Sequence, residues 1–155
     1  MERKPWWNLN LSVILTIGFT FLFSAVIAQK ESVTGNLQVE ISGVRNNKGV
    51  LLLSLYNQSI GFPENSDKAL SKRVLKATTG KISTEWTSLM TGNYAIAVLH
   101  DENNDAKMNT NLFGIPLEGF GFSNNKIGLT GPPSFQRASV DVKMGVNRIV
   151  IKIRY

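Results

Sequence analysis

"NLQVEISGVRNNKGVLLLSLYN", residues 36–57, decides the fold class. Leu37, Val39 and Ile41 alternate with Gln38, Glu40 and Ser42. A period of two marks a half-buried strand, because successive side chains point to opposite faces. "RNNKG" (45–49) then supplies turn residues that tolerate positive φ. "VLLLSLYN" (50–57) is apolar on both faces, as a central strand would be. A hairpin of these two strands is the expectation.

Working outward, the same alternation recurs. Residues 58–70, with Gly61, Pro63 and Asn65, have no clean period and read as a loop with one helical turn near Asp67–Leu70. A short strand is expected over Arg73–Ala77. Another follows where Ile82, Thr84 and Trp86 alternate with Lys81, Ser83 and Glu85. In "LMTGNYAIAVLH" (89–100) a Thr-Gly-Asn turn leads into a strand. Tyr94, Ile96, Val98 and His100 share one face, and Ala95, Ala97 and Leu99 the other. Residues 101–135 are irregular and rich in Asn, Gly and Pro. A segment of that length is uncommon in a compact domain unless it is functional or tied down. Val140, Val142 and Met144 begin the closing pair of strands. In the last, Ile149, Ile151, Ile153 and Tyr155 alternate with Arg148, Val150, Lys152 and Arg154. About seven strands and no long helix predict an all-β fold, an antiparallel two-sheet sandwich of immunoglobulin-like or transthyretin-like type. A closed barrel is the alternative.

The first 28 residues are set apart from this fold. Arg3 and Lys4 precede an apolar run, Leu11 to Ala28, that ends in Val26-Ile27-Ala28. Basic start, apolar middle and small residues at the end make the pattern of a secretory signal peptide. The rival reading is an uncleaved anchor, since the run reaches the lower end of the roughly 17–25 residues that span a bilayer. The expected domain is therefore residues 29–155, exported to the periplasm, the outer cell surface or the medium. With no cysteine in the chain, lipid attachment after the run is excluded, and so are disulfides. Stability must come from core packing or a bound ion.

The chain carries 17 basic and 11 acidic residues. Loss of Arg3, Lys4 and Glu2 with the leader would leave it near +5. The bases are scattered (Lys48, Lys72, Arg73, Lys81, Lys126, Lys143, Lys152, Arg154), as on a solvated surface. That argues against a nucleic-acid interface. Membrane contact is expected only through the N-terminal segment, if it stays uncleaved. Any partner would be an envelope or extracellular ligand.

The chemistry concentrates in "HDENNDAKMNTNLFG" (100–114). Asp101, Asn103 and Asp105 fit the first ligand positions of a calcium loop, D-x-[DN]-x-[DN]. Lys107 would add its backbone carbonyl, Asn109 its amide oxygen, and Glu118, Glu102 or Asn111 the remainder. A hard cation needs six to eight such oxygens, which alternate residues on a tightly turning chain can aim inward. Ala106 stands where an EF-hand has Gly, and Leu112 where it has a bidentate Glu, so the expected calcium site is weak. The alternative is an Asx-rich turn held by its own side-chain-to-backbone bonds. His100, in register with Ile96 and Val98, reads as a satisfied histidine at the core edge. A hydrolase using His100 with Asp101 or Glu118 is the competing activity. Against it, neighbours on a strand face opposite ways, and the chain has neither a cysteine nor a second histidine. In "LFGIPLEGFGFSNN" (112–125), Phe113, Phe120 and Phe122 either form a binding face or fold back to cap the sandwich. Phe135 in "GPPSF" (131–135) reads as a plug.

The run from Gly92 to Asn125 and the following "GPPSF" closely resemble a bacterial domain-of-unknown-function family, number 2141. Its signature is G-x-Y-A-x-x-x-x-H-D-x-N, an Asp/Asn-rich stretch, then F-G-x-P-x-E-G-x-G-F-S-N. Here it falls on Gly92, Tyr94, His100, Asp101, Asn103, Asp105, Asn109, Asn111, Gly114, Pro116, Glu118, Gly121, Phe122, Ser123 and Asn124. Members often have Gly in place of Ala106 and Asp in place of Asn109. The resemblance implies a small exported protein and brings no reaction, substrate or partner. The expected function is a non-enzymatic binding or envelope-associated module with a calcium-stabilised loop at 101–111. The alternatives are the hydrolase and a purely structural envelope protein.

Overall fold

Period-two segments become strands wherever one face is apolar. The computed structural model describes residues 33–128 and 131–155, so the leader or anchor expected at 1–28 lies outside the described residues. Eight strands follow in order: β1 (Thr34–Val44), β2 (Val50–Tyr56), β3 (Ser71–Lys76), β4 (Gly80–Met90), β5 (Gly92–Asp101), β6 (Gly119–Phe122), β7 (Val140–Val142) and β8 (Gly145–Lys152). They form two sheets. One runs β4-β1-β8. The other runs β3-β2-β5-β6, with β7 pairing the start of β5. The all-β sandwich expected from the sequence is the fold found.

Two pairings depart from expectation. β1 and β2 are not a hairpin. β1 lies between β4 and β8, while β2 lies between β3 and β5, so residues 45–49 carry the chain from one sheet to the other. β8 runs parallel to β1, from Gly35 opposite Gly145 to Ser42 opposite Lys152, whereas every other pair is antiparallel. Alternation tells which face of a strand is buried. It carries no information on which neighbour shares its edge.

The core fills the space between the sheets. Leu37, Val39 and Ile41 of β1, Trp86 of β4 and Ile151 of β8 meet Leu51, Leu53 and Leu55 of β2 and Ile96 and Val98 of β5. A second, smaller cluster uses the opposite face of β5. Ala95, Phe122 and Ala138 are buried there, with Phe62, Ala97, Phe120 and Phe135 packed against them. Phe62 sets its edge against Phe122 and Phe135, with ring centroids 6.1 and 6.0 Å away. Phe120, Phe122 and Phe135 have therefore folded back, as the capping alternative required.

β6, "GFGF", was hidden inside the irregular segment. Its glycines are steric. A Cβ on Gly119 would run into the Tyr155 ring and Ile153, and one on Gly121 into Ile151. The strand pairs Ala97 to His100 of β5 and brings Glu118 beside the end of that strand.

Candidate functional site

The 101–118 segment emerges where β5 ends, at the end of the sandwich opposite to Thr34. Val44 of β1, Val50 of β2 and Asp101 of β5 meet at this end, and Met90, Gly92 and Gly145 at the other.

His100 is fully buried. Its Nε2 lies 2.9 Å from the Lys48 carbonyl and its Nδ1 2.6 Å from the Tyr155 hydroxyl. A carbonyl can only accept, so Nε2 carries a hydrogen, and in the neutral ring Nδ1 accepts from Tyr155. The Tyr155 oxygen also accepts from the Arg45 amide at 3.0 Å, and the Arg45 guanidinium sits 4.2 Å from the centre of the Tyr155 ring. Burial raises the Tyr155 hydroxyl above its usual range. Both imidazole nitrogens are thus engaged, and neither by a carboxylate.

Asp101, 1 % exposed, faces the loop it begins. Its Oδ1 accepts from the Asp105 amide at 3.2 Å and its Oδ2 from the Ala106 amide at 2.8 Å. Asn103 Oδ1 accepts from the Asp105 amide as well, and Asp105 Oδ1 from the Lys107 amide. Asp105 Oδ2 accepts from the side-chain amides of Asn103 and Asn109, both at 3.0 Å. The bond from Asn109, then the Lys107 amide and the bond from Asn103, hold the Asp105 carboxyl below its usual range. Glu118, 5 % exposed, closes the segment: Oε1 accepts from the Glu102 amide at 2.9 Å and Oε2 from the Asn109 amide at 3.1 Å. Burial would raise Glu102, but bonds from Asn46 Nδ2 and Arg45 Nε, both 2.8 Å, outweigh it and keep that carboxyl low.

The predicted ligand residues therefore divide. Asn103, Asp105 and Asn109 come together by side-chain contact. Asp101 and Glu118 turn toward backbone amides on either side, and Lys107 offers its amide to Asp105. Among the described residues, no three acidic or histidine side chains converge as a metal group. Ala106 takes a positive φ of 60°, the conformation for which glycine is suited.

Beyond Asn109 the chain forms a finger that the sequence reading only half anticipated. Thr110 bridges Pro116, the Leu117 amide donates to the Asn109 carbonyl, and the Asn111 amide to the Ile115 carbonyl. Asn111 Oδ1 accepts from the Phe113 and Ile115 amides at 2.9 and 3.0 Å, and Gly114 turns with φ 75°. The tip points outward: Leu112 is 101 % exposed and Phe113 87 %, with Ile115, Leu117 and Met108 exposed beside them. Phe113 thus parts from the other aromatic rings of the segment. An Asn-x-x-Gly turn (111–114) between apolar residues was the available signal.

No curated protein and no solved structure matches the chain. A family match covers residues 39–150 and takes in β1 from Val39, His100, the acidic loop and the finger, while Tyr155 lies beyond it. The chain belongs to the family of uncharacterized proteins conserved in bacteria described as DUF2141.

Proposed function

We propose that this protein is an exported, non-enzymatic β-sandwich that docks on an envelope component through the 108–117 finger. The observation that carries the reading is the tip. Leu112 and Phe113 stand in solvent while the backbone beneath them is hydrogen-bonded on both sides. Single exposed apolar side chains are ordinary, but five within ten residues on a fixed turn form a patch that gains from being covered. Export rests on the leader pattern of residues 1–28. The non-enzymatic part is supported by His100, which is buried and has both nitrogens engaged.

Calcium belongs to this reading as a weak stabiliser of the 101–109 loop. Its support is the D-x-N-x-D spacing and the mutual contact of Asn103, Asp105 and Asn109. Half a turn of the two amides would exchange N–H₂ for oxygen toward Asp105.

Because the chain has no cysteine, one introduced thiol reports on one place. Phe113→Cys and the exposed control Val74→Cys should react equally fast with a water-soluble maleimide in purified protein. In the envelope fraction of cells the first should be shielded and the second should not. Equal reaction of both in the envelope would refute docking through the finger.

A further inference from the structure

We propose that residues 102–117 open as one cooperative unit while the sandwich stays folded, and that Arg45 is the latch that holds the unit closed. This holds whatever the finger docks on.

The unit has close roots and no core. Asp101 ends β5 and Glu118 precedes β6, and the two strands pair with His100 opposite Gly119. The segment therefore leaves and re-enters the sandwich at one place, as an Ω-loop does. Its bonds are its own: Asn103, Asp105 and Asn109 bond to one another, Thr110 bridges Pro116, and Asn111 bonds across the tip. Asp101 and Glu118 bond back into it from the two roots. Yet no residue of 102–117 is buried, and none belongs to either apolar cluster. A segment with exposed hydrogen bonds and no buried apolar contact opens at less cost than the sheets that carry it.

The latch lies in the crossover. Among the described residues, hydrogen bonds from 102–117 to anything beyond its roots run only to Arg45 and Asn46. Arg45 reaches both stems. Its Nε donates to Glu102 Oε1 at 2.8 Å, just past the first root, and its Nη2 to the Leu117 carbonyl at 3.2 Å, just before the second. A planar fork can hold two stems at once, whereas the point charge of a lysine holds one. Arg45 is itself seated on Tyr155, through its amide and under its guanidinium. The rest of the crossover is fastened to the sandwich: Asn47 Oδ1 accepts from the Thr79 amide at 2.6 Å and the Lys48 carbonyl from His100. The turn that carries the chain between the sheets is thus also the fixed side of the latch.

Native-state hydrogen exchange of the full chain tests both parts. The amides of Asn109, Asn111 and Leu117 are bonded inside the unit and should share one opening, faster than that of Leu53 in the core. Arg45→Ala should speed all three by about tenfold, since it removes two bonds from a charged donor in a half-exposed place. Arg45→Lys should speed them nearly as much. Ile151→Val, in the core, should speed Leu53 by about fivefold and leave the three unit amides unchanged, because the core is intact when the unit opens. If Ile151→Val speeds the unit amides as much as Leu53, the segment opens only with the whole fold and the unit is overturned. If Arg45→Ala leaves those amides unchanged, or Arg45→Lys keeps their full protection, the two-point latch is overturned.

Discussion

Glu118 holds two points of the segment at once, and its replacement by Gln tests whether that clamp sets loop stability. Both carboxylate oxygens accept from backbone amides, at 2.9 Å from Glu102 and 3.1 Å from Asn109, in a site only 5 % exposed. Hydrogen bonds to a charged group contribute about 1.5–3 kcal/mol each. Gln keeps one as a neutral bond of about 1 kcal/mol and sets an N–H₂ against the other amide. The net loss is about 2–5 kcal/mol. For a domain of this size about 4 °C accompanies each kcal/mol, so the melting temperature should fall by about 8–20 °C. The domain should still fold, since such domains have about 5–15 kcal/mol in hand. Thermal unfolding in chelator is the assay, with hydrogen exchange at the amides of Glu102 and Asn109 as the local readout. A fall below about 2 °C, or unchanged protection at those amides, would refute the clamp.

Ala106→Gly should raise stability by about 0.5–1 kcal/mol, seen as a melting temperature about 2–4 °C higher, because Ala106 sits at φ 60°. A fall would mean that the alanine methyl has a packing role. Calcium at about 5 mM should raise the melting temperature over chelator by about 4 °C for a dissociation constant near 1 mM. No shift at that concentration removes calcium from the loop. Burial holds the hydroxyls of Tyr56, Tyr94 and Tyr155 above their ordinary value of about 10. Their folded values exceed the unfolded ones, so this contribution is intact below about pH 10 and is lost as pH rises through the folded values. Phenolate absorbance should therefore appear together with unfolding. A midpoint near 10 in still-folded protein would refute it.

The strands from Thr34 to Asp101 were legible because β1 and β4 alternate an apolar with a polar face, while β2 and β5 are short runs apolar on both, as central strands are. His100 was placed by the same parity: sharing a face with Ile96 and Val98 put it inside, where it is. The hairpin of β1 and β2 failed because "RNNKG" can turn a chain back within one sheet or across to the other. β6 was illegible because its glycines, required by Tyr155 and Ile151, erase the alternation. In the site, alternating oxygens marked Asp101 to Asn109 as special. They could not tell a cation's shell from a set of backbone amides, since both want the same carboxylates. Phe113 was read with its aromatic neighbours, although only those beyond Gly119 have the second face of β5 to lie on.

The parallel pairing of β1 with β8 bears on the order of folding. β1 receives one neighbour from β4 and the other from a strand more than 100 positions later, with Gly35 opposite Gly145. Until that strand arrives, one edge of β1 is bare and Ile151 is missing from between the sheets. Closing a loop of this length is slow, and the chain stays open while it waits. A polypeptide threaded through a membrane pore from its N-terminus would then emerge unfolded nearly to its end and close once, on the far side.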